Sequence, residues 1–414
     1  MKVIAKHSLG KKIVGDTLQI SVDAKECKLK HPETIDATIG TFSNEDKSFL
    51  KYHTVDKILK ELSDVDYFSY SSVDGGKLYH DAVTTWTFQE HRDKILSSLH
   101  CKVVATPGGT GAVSNSVFCS LDEGETLILP DIYWGPYKGI ASSNSIETNE
   151  YNFLVDDKFN LNGFIELANK VIKKQGKIVT ILNDPNNNPT GYSLSEEEFS
   201  NFLIYLNNCG VEVSLILDIA YLDYSVKNFE STRKKLSFLT KINNNVLVTV
   251  AFSCSKTFSI YGLRTGAQII LGKDGNVVHS FYDASVYLSR SRWSNISKAG
   301  INMLSKLVLN NDNKNEFIKE LNENVSILTK RAELFIKEAN ECDLPIYPYF
   351  GGFFVTIICE DGHKLFEALK SKYIFVIPYP KAIRISISAL SIDEIKGLAF
   401  KILKIKEASM QFEE

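Results

Sequence analysis

A lysine, two serines and an arginine crowd the stretch "SCSKTFSIYGLR" at 253–264, directly after the β-forming run "VLVTVAF" at 246–252. Buried cations are costly unless paired or neutralised, so their placement at the end of a buried strand points to an anionic or electrophilic ligand. Lys256 could serve as a general base or a Schiff-base nucleophile, because an amine withdrawn from bulk water and set near other cations loses basicity. Ser253, Ser255 and Arg264 add hydroxyl donors and a guanidinium fork, an inventory that suits phosphate.

Further candidates follow other strand-like runs. In "TPGGTGAV" at 106–113, Gly109 and Thr110 open a helix whose N-terminal N–H groups and positive partial charge suit a phosphate, with a plain tight turn as the alternative. "DIYWGPYKG" carries Trp134, an indole fit either for core packing or for stacking on a ligand ring. In "NDPNNNPTG", Asn188 either builds an Asx turn or donates its amide to a ligand oxygen. "VSLILD" ends on Asp218 with Tyr221 three residues later. A carboxylate there needs a cation or strong donors, unless it caps the following turn.

The elements that must position these residues are legible too. "KVVAT", "ETLILP", "KIVTIL", "VSLILD", "VLVTVAF" and "AQIIL" alternate with helical patterns between about 100 and 272. Such near-continuous apolar strands imply an α/β fold with a mostly parallel sheet sandwiched by helices, and ligands gather beyond the carboxyl ends of such strands. Ser195 with Glu198 predicts a capping box, Leu194 with Phe199 a hydrophobic staple, and Phe199, Phe202, Leu203 and Leu206 a helix that stops near Gly210. From 313 onward long amphipathic helices precede the short runs "GGFFVTII" and "AIRISIS". We therefore expect a large domain at 46–312 and a smaller α+β domain formed by 1–45 and 313–414.

Composition limits the rest. The 414 residues are 44% hydrophobic and 23% charged, as in ordinary soluble globular chains. Lys+Arg 47 against Asp+Glu 50 gives a net charge of -3, which offers no global field for nucleic acid or anionic membrane. Seven cysteines without a C-x-x-C pair argue for a reducing compartment and against a zinc site or disulfide framework. With no apolar run of membrane-span length and no apolar leader at the N-terminus, the expected location is cytoplasmic and no metal is expected.

In combination, "NPTG" at 188–191, "DIAY" at 218–221 and "SCSKTFSIYGLRTG" at 253–266 resemble the fold-type I pyridoxal phosphate enzymes. Within them the resemblance is to class I aminotransferases of the aspartate and aromatic amino acid type, and "RISIS" at 384–388 continues it. It implies pyridoxal 5'-phosphate as cofactor. Lys256 would hold it covalently and shuttle a proton, Asp218 would keep its pyridine nitrogen protonated, Tyr221 and Asn188 would bond its phenolic oxygen, and Trp134 would stack on its ring. Its phosphate would meet Gly109, Thr110, Ser253, Ser255 and Arg264, together with Tyr70 extended from a second subunit, making a homodimer with shared active sites.

The resemblance also implies that Arg384 grips the substrate α-carboxylate and that Gly40, in "ATIGTF", belongs to a segment closing over substrate, which Trp134 and Asn188 also face. "LSRSRWSN" at 288–295 is similar to the segment in which dicarboxylate-specific members present an arginine to the distal carboxylate. Spacing selects Arg290 over Arg292, although Ser291 stands where a proline is usual. The implied activity is ping-pong transamination between aspartate or an aromatic amino acid and a 2-oxo acid such as 2-oxoglutarate. A carbon–sulfur β-lyase on the same lysine, or a regulatory protein that keeps the fold without the chemistry, are the alternatives. Arg290 weighs against the first, and the complete set of chemical groups against the second.

Overall fold

The computed structural model describes residues 3–5, 8–12, 17–226 and 229–410. The chain clusters into two compact units. The larger comprises Leu50–Ile327 and Tyr349–Gly352; the smaller combines the chain up to Phe49, Leu328–Pro348 and the chain from Phe353 on.

Among the described residues, seven strands of the larger unit form one sheet: β1 (His100–Pro107), β2 (Thr126–Pro130), β3 (Glu147–Tyr151), β4 (Lys177–Asn183), β5 (Glu212–Asp218), β6 (Val246–Ser253) and β7 (Thr265–Gly272). Their order is β1-β7-β6-β5-β4-β2-β3. All six apolar runs of the sequence are strands. Val104, Ile128, Leu215, Val250 and Ile269 are fully buried on them, each contributing roughly 1.5–3 kcal/mol of hydrophobic stabilisation. The sequence pattern missed β3, "ETNEY", an edge strand with mostly exposed side chains. An edge solvated on one face needs no apolar run.

Pairing is parallel throughout except at β7, which runs antiparallel to both β6 and β1. The carboxyl ends of β1, β2, β4, β5 and β6 therefore lie along one sheet edge with the amino end of β7. Register fixes the neighbours there: Gly266 stands opposite both Thr106 and Ser253, and Asp218 opposite both Asn183 and Ala251.

The helices that matter for this edge are α1 (Gly108–Ser120), α2 (Pro136–Ser143), α3 (Glu196–Asn208) and α4 (Gly275–Arg292). The predicted capping box starts α3: the Ser195 hydroxyl accepts from the Glu198 N–H at 3.1 Å, and the Glu198 carboxylate from the Ser195 N–H at 2.7 Å. Gly210, at φ +77°, follows its end. Among the described residues no helix is long and apolar enough to cross a membrane.

In the smaller unit, β8 (Phe354–Ile358), β9 (Ile377–Tyr379) and β10 (Ala382–Ser386) form an antiparallel sheet in the order β8-β10-β9. The helix α5 (Asn311–Glu341) enters this unit at Leu328. Residues 37–45 are laced to β10 and its continuation. Ser386 Oγ donates to the Ile39 carbonyl at 2.8 Å and Ser388 Oγ to that of Thr41 at 3.0 Å. Arg331, fully buried, donates to the carbonyls of Ser43 at 3.0 Å and Ser388 at 3.1 Å and pairs with Glu45.

Candidate active site

The lysine sits where β6 ends. Ser253 caps a single helical turn, Cys254–Thr257, by accepting from the Ser255 N–H at 3.3 Å. Lys256 is half-buried, with Nζ 5.1 Å from the Tyr261 ring centroid and 5.7 Å from that of Tyr221. The chain then turns back into β7 through Arg264 in the left-handed region, φ +51°. Arg264 Nη1 donates to the Tyr261 carbonyl at 3.0 Å and to Ser255 Oγ at 3.4 Å.

That return brings the guanidinium to the start of α1. A Cβ on Gly108 (φ +70°) would fall 2.8 Å from Arg264 Nη2, and one on Gly266 would fall 2.5 Å from the Gly108 carbonyl carbon. Only glycine at both positions allows the approach. Gly109 packs against Ser253, the space for a Cβ there lying 3.4 Å from the Ser253 Cβ. The N–H groups of Gly109 and Thr110 at a helix N-terminus, the Ser253 and Ser255 hydroxyls and the Arg264 guanidinium thus converge as an anion cradle.

Asp218, at the end of β5, is the buried carboxylate of the edge. Oδ2 accepts from the Tyr137 hydroxyl at 2.6 Å and Oδ1 from the Ala220 N–H at 3.0 Å. Burial raises its pKa, while the Tyr137 and Ala220 hydrogen bonds and the Lys256 charge pull the other way. Sequence reasoning missed Tyr137, in the first turn of α2, which follows Trp134 by three residues and meets its ring edge-on, centroids 5.4 Å apart. The i, i+3 spacing of two aromatics was the available signal.

Asparagine amides tie the loop after β4 to "DIAY". Asn183 Nδ2 donates to the Asp218 carbonyl at 2.9 Å, and Asn186 Nδ2 to that of Tyr221 at 2.8 Å. The Asn188 N–H donates to Asn183 Oδ1 at 2.7 Å. A buried pair of Lys235 with Asp184, 2.6 Å, anchors the loop's start. Lys256, Asp218, Tyr221, Asn188, Trp134 and the phosphate-type donors therefore all belong to one sheet edge.

Tyr70 is 88% exposed. Its neighbour Ser71 donates to the Ile296 carbonyl at 3.0 Å, and Asn295 donates back to the Ser71 carbonyl at 3.0 Å. Arg290, exposed in the last turn of α4, donates to the Ser294 hydroxyl. Arg292 is committed within its own chain: it bonds Ser114 and Asn144, each at 3.1 Å, and lies 4.6 Å over the Phe118 ring. In the smaller unit, Arg384 is buried on β10, donates to the Thr38 carbonyl at 2.6 Å and stacks on Phe354 at 4.0 Å. A Cβ on Gly40 would fall 2.4 Å from the same Phe354 ring.

The donor set of the larger unit fits pyridoxal 5'-phosphate by its chemistry. It offers a primary amine for an aldehyde, a cradle for a phosphate, a buried carboxylate for a protonated ring nitrogen and aromatic rings beside them. Comparison with known proteins agrees. The chain is similar to the aspartate aminotransferase of Escherichia coli (strain K12), 22% identical over 251 residues, 60% of this chain and 61% of that protein. It is also similar to an aromatic-amino-acid aminotransferase of Pseudomonas aeruginosa, 23% identical over 206 residues, 49% of this chain and 50% of that protein. The matched stretches thus span half to three-fifths of these relatives.

Among solved structures, an aminotransferase from Anaerococcus prevotii DSM 20548 superposes with a TM-score of 0.92 at 29% identity, covering 100% of both chains. An aromatic-amino-acid aminotransferase from Burkholderia pseudomallei, covalently bound to pyridoxal phosphate, shares the fold with a TM-score of 0.79 at 17% identity, covering 97% of this chain and 100% of that one. The profile of the family described as aminotransferase class I and II matches residues 35–402. The chain therefore belongs to the class I and II aminotransferases, a family of pyridoxal 5'-phosphate-dependent enzymes.

Proposed function

We propose that the protein transfers an amino group from aspartate or an aromatic amino acid to a 2-oxo acid such as 2-oxoglutarate, in two half-reactions. The observation that carries this reading is the buried Asp218 carboxylate, bonded by Tyr137 and within reach of the Lys256 charge at one strand edge. Bound pyridoxal 5'-phosphate supplies an electron sink for a carbanion at the substrate Cα. Lys256 would hold the cofactor by its amine and would move the proton of the substrate Cα. Asp218 keeps the ring nitrogen protonated, Tyr221 and Asn188 donate to the phenolic oxygen, and Trp134 covers the ring face. Gly109, Thr110, Ser253, Ser255 and Arg264 bind the phosphate.

Arg384 binds the substrate α-carboxylate, and the Gly40 segment excludes water once substrate is bound. Arg290 meets the distal carboxylate of a dicarboxylic substrate; the commitment of Arg292 to Ser114 and Asn144 leaves Arg290 the better candidate. The functional unit is a cytoplasmic homodimer. Support for the dimer comes from the exposure of Tyr70 (88%), Phe68 (86%) and Tyr287 (73%), and from the hydrogen bonds that set the Tyr70 segment beside the one following Arg290.

Purified protein loaded with cofactor and given single amino donors should convert the cofactor to its amine form and release the matching 2-oxo acid. No conversion across a donor panel would exclude transamination, and pyruvate with ammonia released without any acceptor would favour a lyase. Lys256→Ala should abolish turnover. Arg290→Ala should lose dicarboxylate turnover selectively. Mixing Lys256→Ala chains with Tyr70→Ala chains should restore part of the activity, because one site of each mixed dimer is then complete. No recovery in confirmed mixed dimers would remove the role of Tyr70 across subunits.

A further inference from the structure

Three successive residues of the lysine turn are held from one buried wall. The Tyr224 hydroxyl donates to the carbonyl of Lys256 itself at 2.8 Å. Thr257 Oγ1 donates to Asp223 Oδ2 at 2.6 Å. Phe258 stacks on Phe317 with centroids 4.9 Å apart and meets Trp86 at 5.1 Å. Asp223, Tyr224, Thr257, Phe258, Phe317 and Trp86 are all buried.

The wall is itself fixed. The Trp86 indole donates to Asp223 Oδ2 at 3.0 Å, and the fully buried Arg233 closes an ion pair on Oδ1. Arg233 Nε also donates to the Trp86 carbonyl at 3.3 Å. With two donors on one carboxylate oxygen and a guanidinium on the other, Asp223 has one orientation. The Tyr224 hydroxyl is steadied in turn by that of Tyr52, 3.4 Å away. Lys256 Nζ stands at the end of a four-carbon stem, so a small tilt of its backbone becomes a large displacement of the amine from the Tyr221 and Tyr261 rings.

Resting on the reading of Lys256 as the cofactor lysine, we propose that Asp223 and Tyr224 are positioning residues for its amine. Asp223 acts through Thr257, and Tyr224 acts directly on the Lys256 carbonyl. Neither touches the reacting atoms. Both set where Nζ stands and what surrounds it before the cofactor arrives.

Replacing Asp223 would strand Arg233 and threaten folding, so the test uses Thr257→Val, which deletes the bond to Asp223, and Tyr224→Phe, which deletes the bond to the Lys256 carbonyl together with the longer one to Tyr52; both keep the shape. Cofactor-free protein is labelled with trace acetic anhydride across a pH series, and the Lys256 peptide is quantified by mass spectrometry. Each variant should move the labelling midpoint by about half a pH unit or more, roughly threefold in free amine at a given pH, and Thr257→Ser should restore it. Phe164→Leu, in the aromatic cluster with Phe202, should lower the melting temperature and leave the midpoint in place. Wild-type labelling in both Thr257→Val and Tyr224→Phe, or an equal shift in Phe164→Leu, would overturn the proposal. Borohydride reduction of wild-type protein with pyridoxal 5'-phosphate, followed by peptide mapping, tests the underlying reading separately: the label should sit on Lys256, and a label elsewhere would remove that reading whatever the anhydride result.

Discussion

The lysine turn of the larger unit and the Gly40 segment of the smaller one are both irregular backbone held in place, but by opposite means. The turn leans on a fully buried ion pair, Asp223–Arg233, through which Thr257 and Trp86 are also fixed. Single rungs hold the Gly40 segment, from the Ser386 and Ser388 hydroxyls to the carbonyls of Ile39 and Thr41 and from the Arg384 guanidinium to that of Thr38, and its ion pair, Arg331–Glu45, ends on a carboxylate that is 50% exposed. A buried charge pair is kept or lost as a whole, because either partner alone is a costly buried ion. Rungs can be lost singly. The part that must stay fixed is built from the first kind, and the part proposed to close over substrate from the second.

The contrast can be broken most forcefully at Arg233. Arg233→Met leaves the Asp223 charge buried and unpaired, and should destabilise the protein by about 3–5 kcal/mol in denaturant unfolding. The double change Asp223→Leu with Arg233→Met should recover part of that loss, since the Trp86 indole and the Thr257 hydroxyl still lose their acceptor; no recovery would mean that these hydrogen bonds and packing, rather than the charge pair, hold the wall. In the smaller unit, Gly40→Ala should cost about 1–3 kcal/mol through overpacking against Phe354, and should raise KM for the amino acid because Arg384 stacks on that ring. Unchanged KM would separate Gly40 from substrate binding.

Single rungs should matter less. Ser386→Ala and Ser388→Ala should each cost about 1 kcal/mol, with a modest coupling in the double variant because their hydroxyls lie 3.3 Å apart. A strongly cooperative loss would erase the distinction between the two regions. The smallest effect has the opposite sign and belongs to Asp218. Burial raises the pKa of its carboxyl, so the folded state holds that proton more tightly than the unfolded chain. Stability is then lost as pH rises from the unfolded value through the folded one. Asp218→Asn should therefore stabilise the cofactor-free protein at neutral pH while impairing turnover, with the stability gain vanishing at acid pH below the unfolded carboxyl value.

The parts legible in the sequence share one property: their signals are local. Six apolar runs announced six strands; "DIAY" and "SCSK" each begin on the last residue of one, and "NPTG" lies in the loop that follows another. The Ser195 and Glu198 cap spans only four residues. What escaped depends on partners far apart in the chain. Trp86 meets Asp223 at a separation of 137 residues, and no short window contains both. Tyr137 gained its meaning only when α2 laid its hydroxyl on Asp218. Arg292 stayed a competitor to Arg290 because spacing cannot reveal that Ser114 and Asn144 take up two of its donors.

The single reversed strand of the sheet also constrains the order in which the molecule can be built. In that sheet β1 pairs only with β7, Pro107 standing opposite Thr265. During synthesis residues 108–111 emerge before β7 does, so β1 has no partner in this sheet until the chain has reached 265–272. Such long-range pairing is slow and leaves surface open to aggregation. A nascent chain ending before residue 265 should yield to protease at 100–120, whereas one carrying all of β7 should resist. The anion cradle and the lysine turn would then mature in the same event, so that no long-lived nascent form carries one without the other.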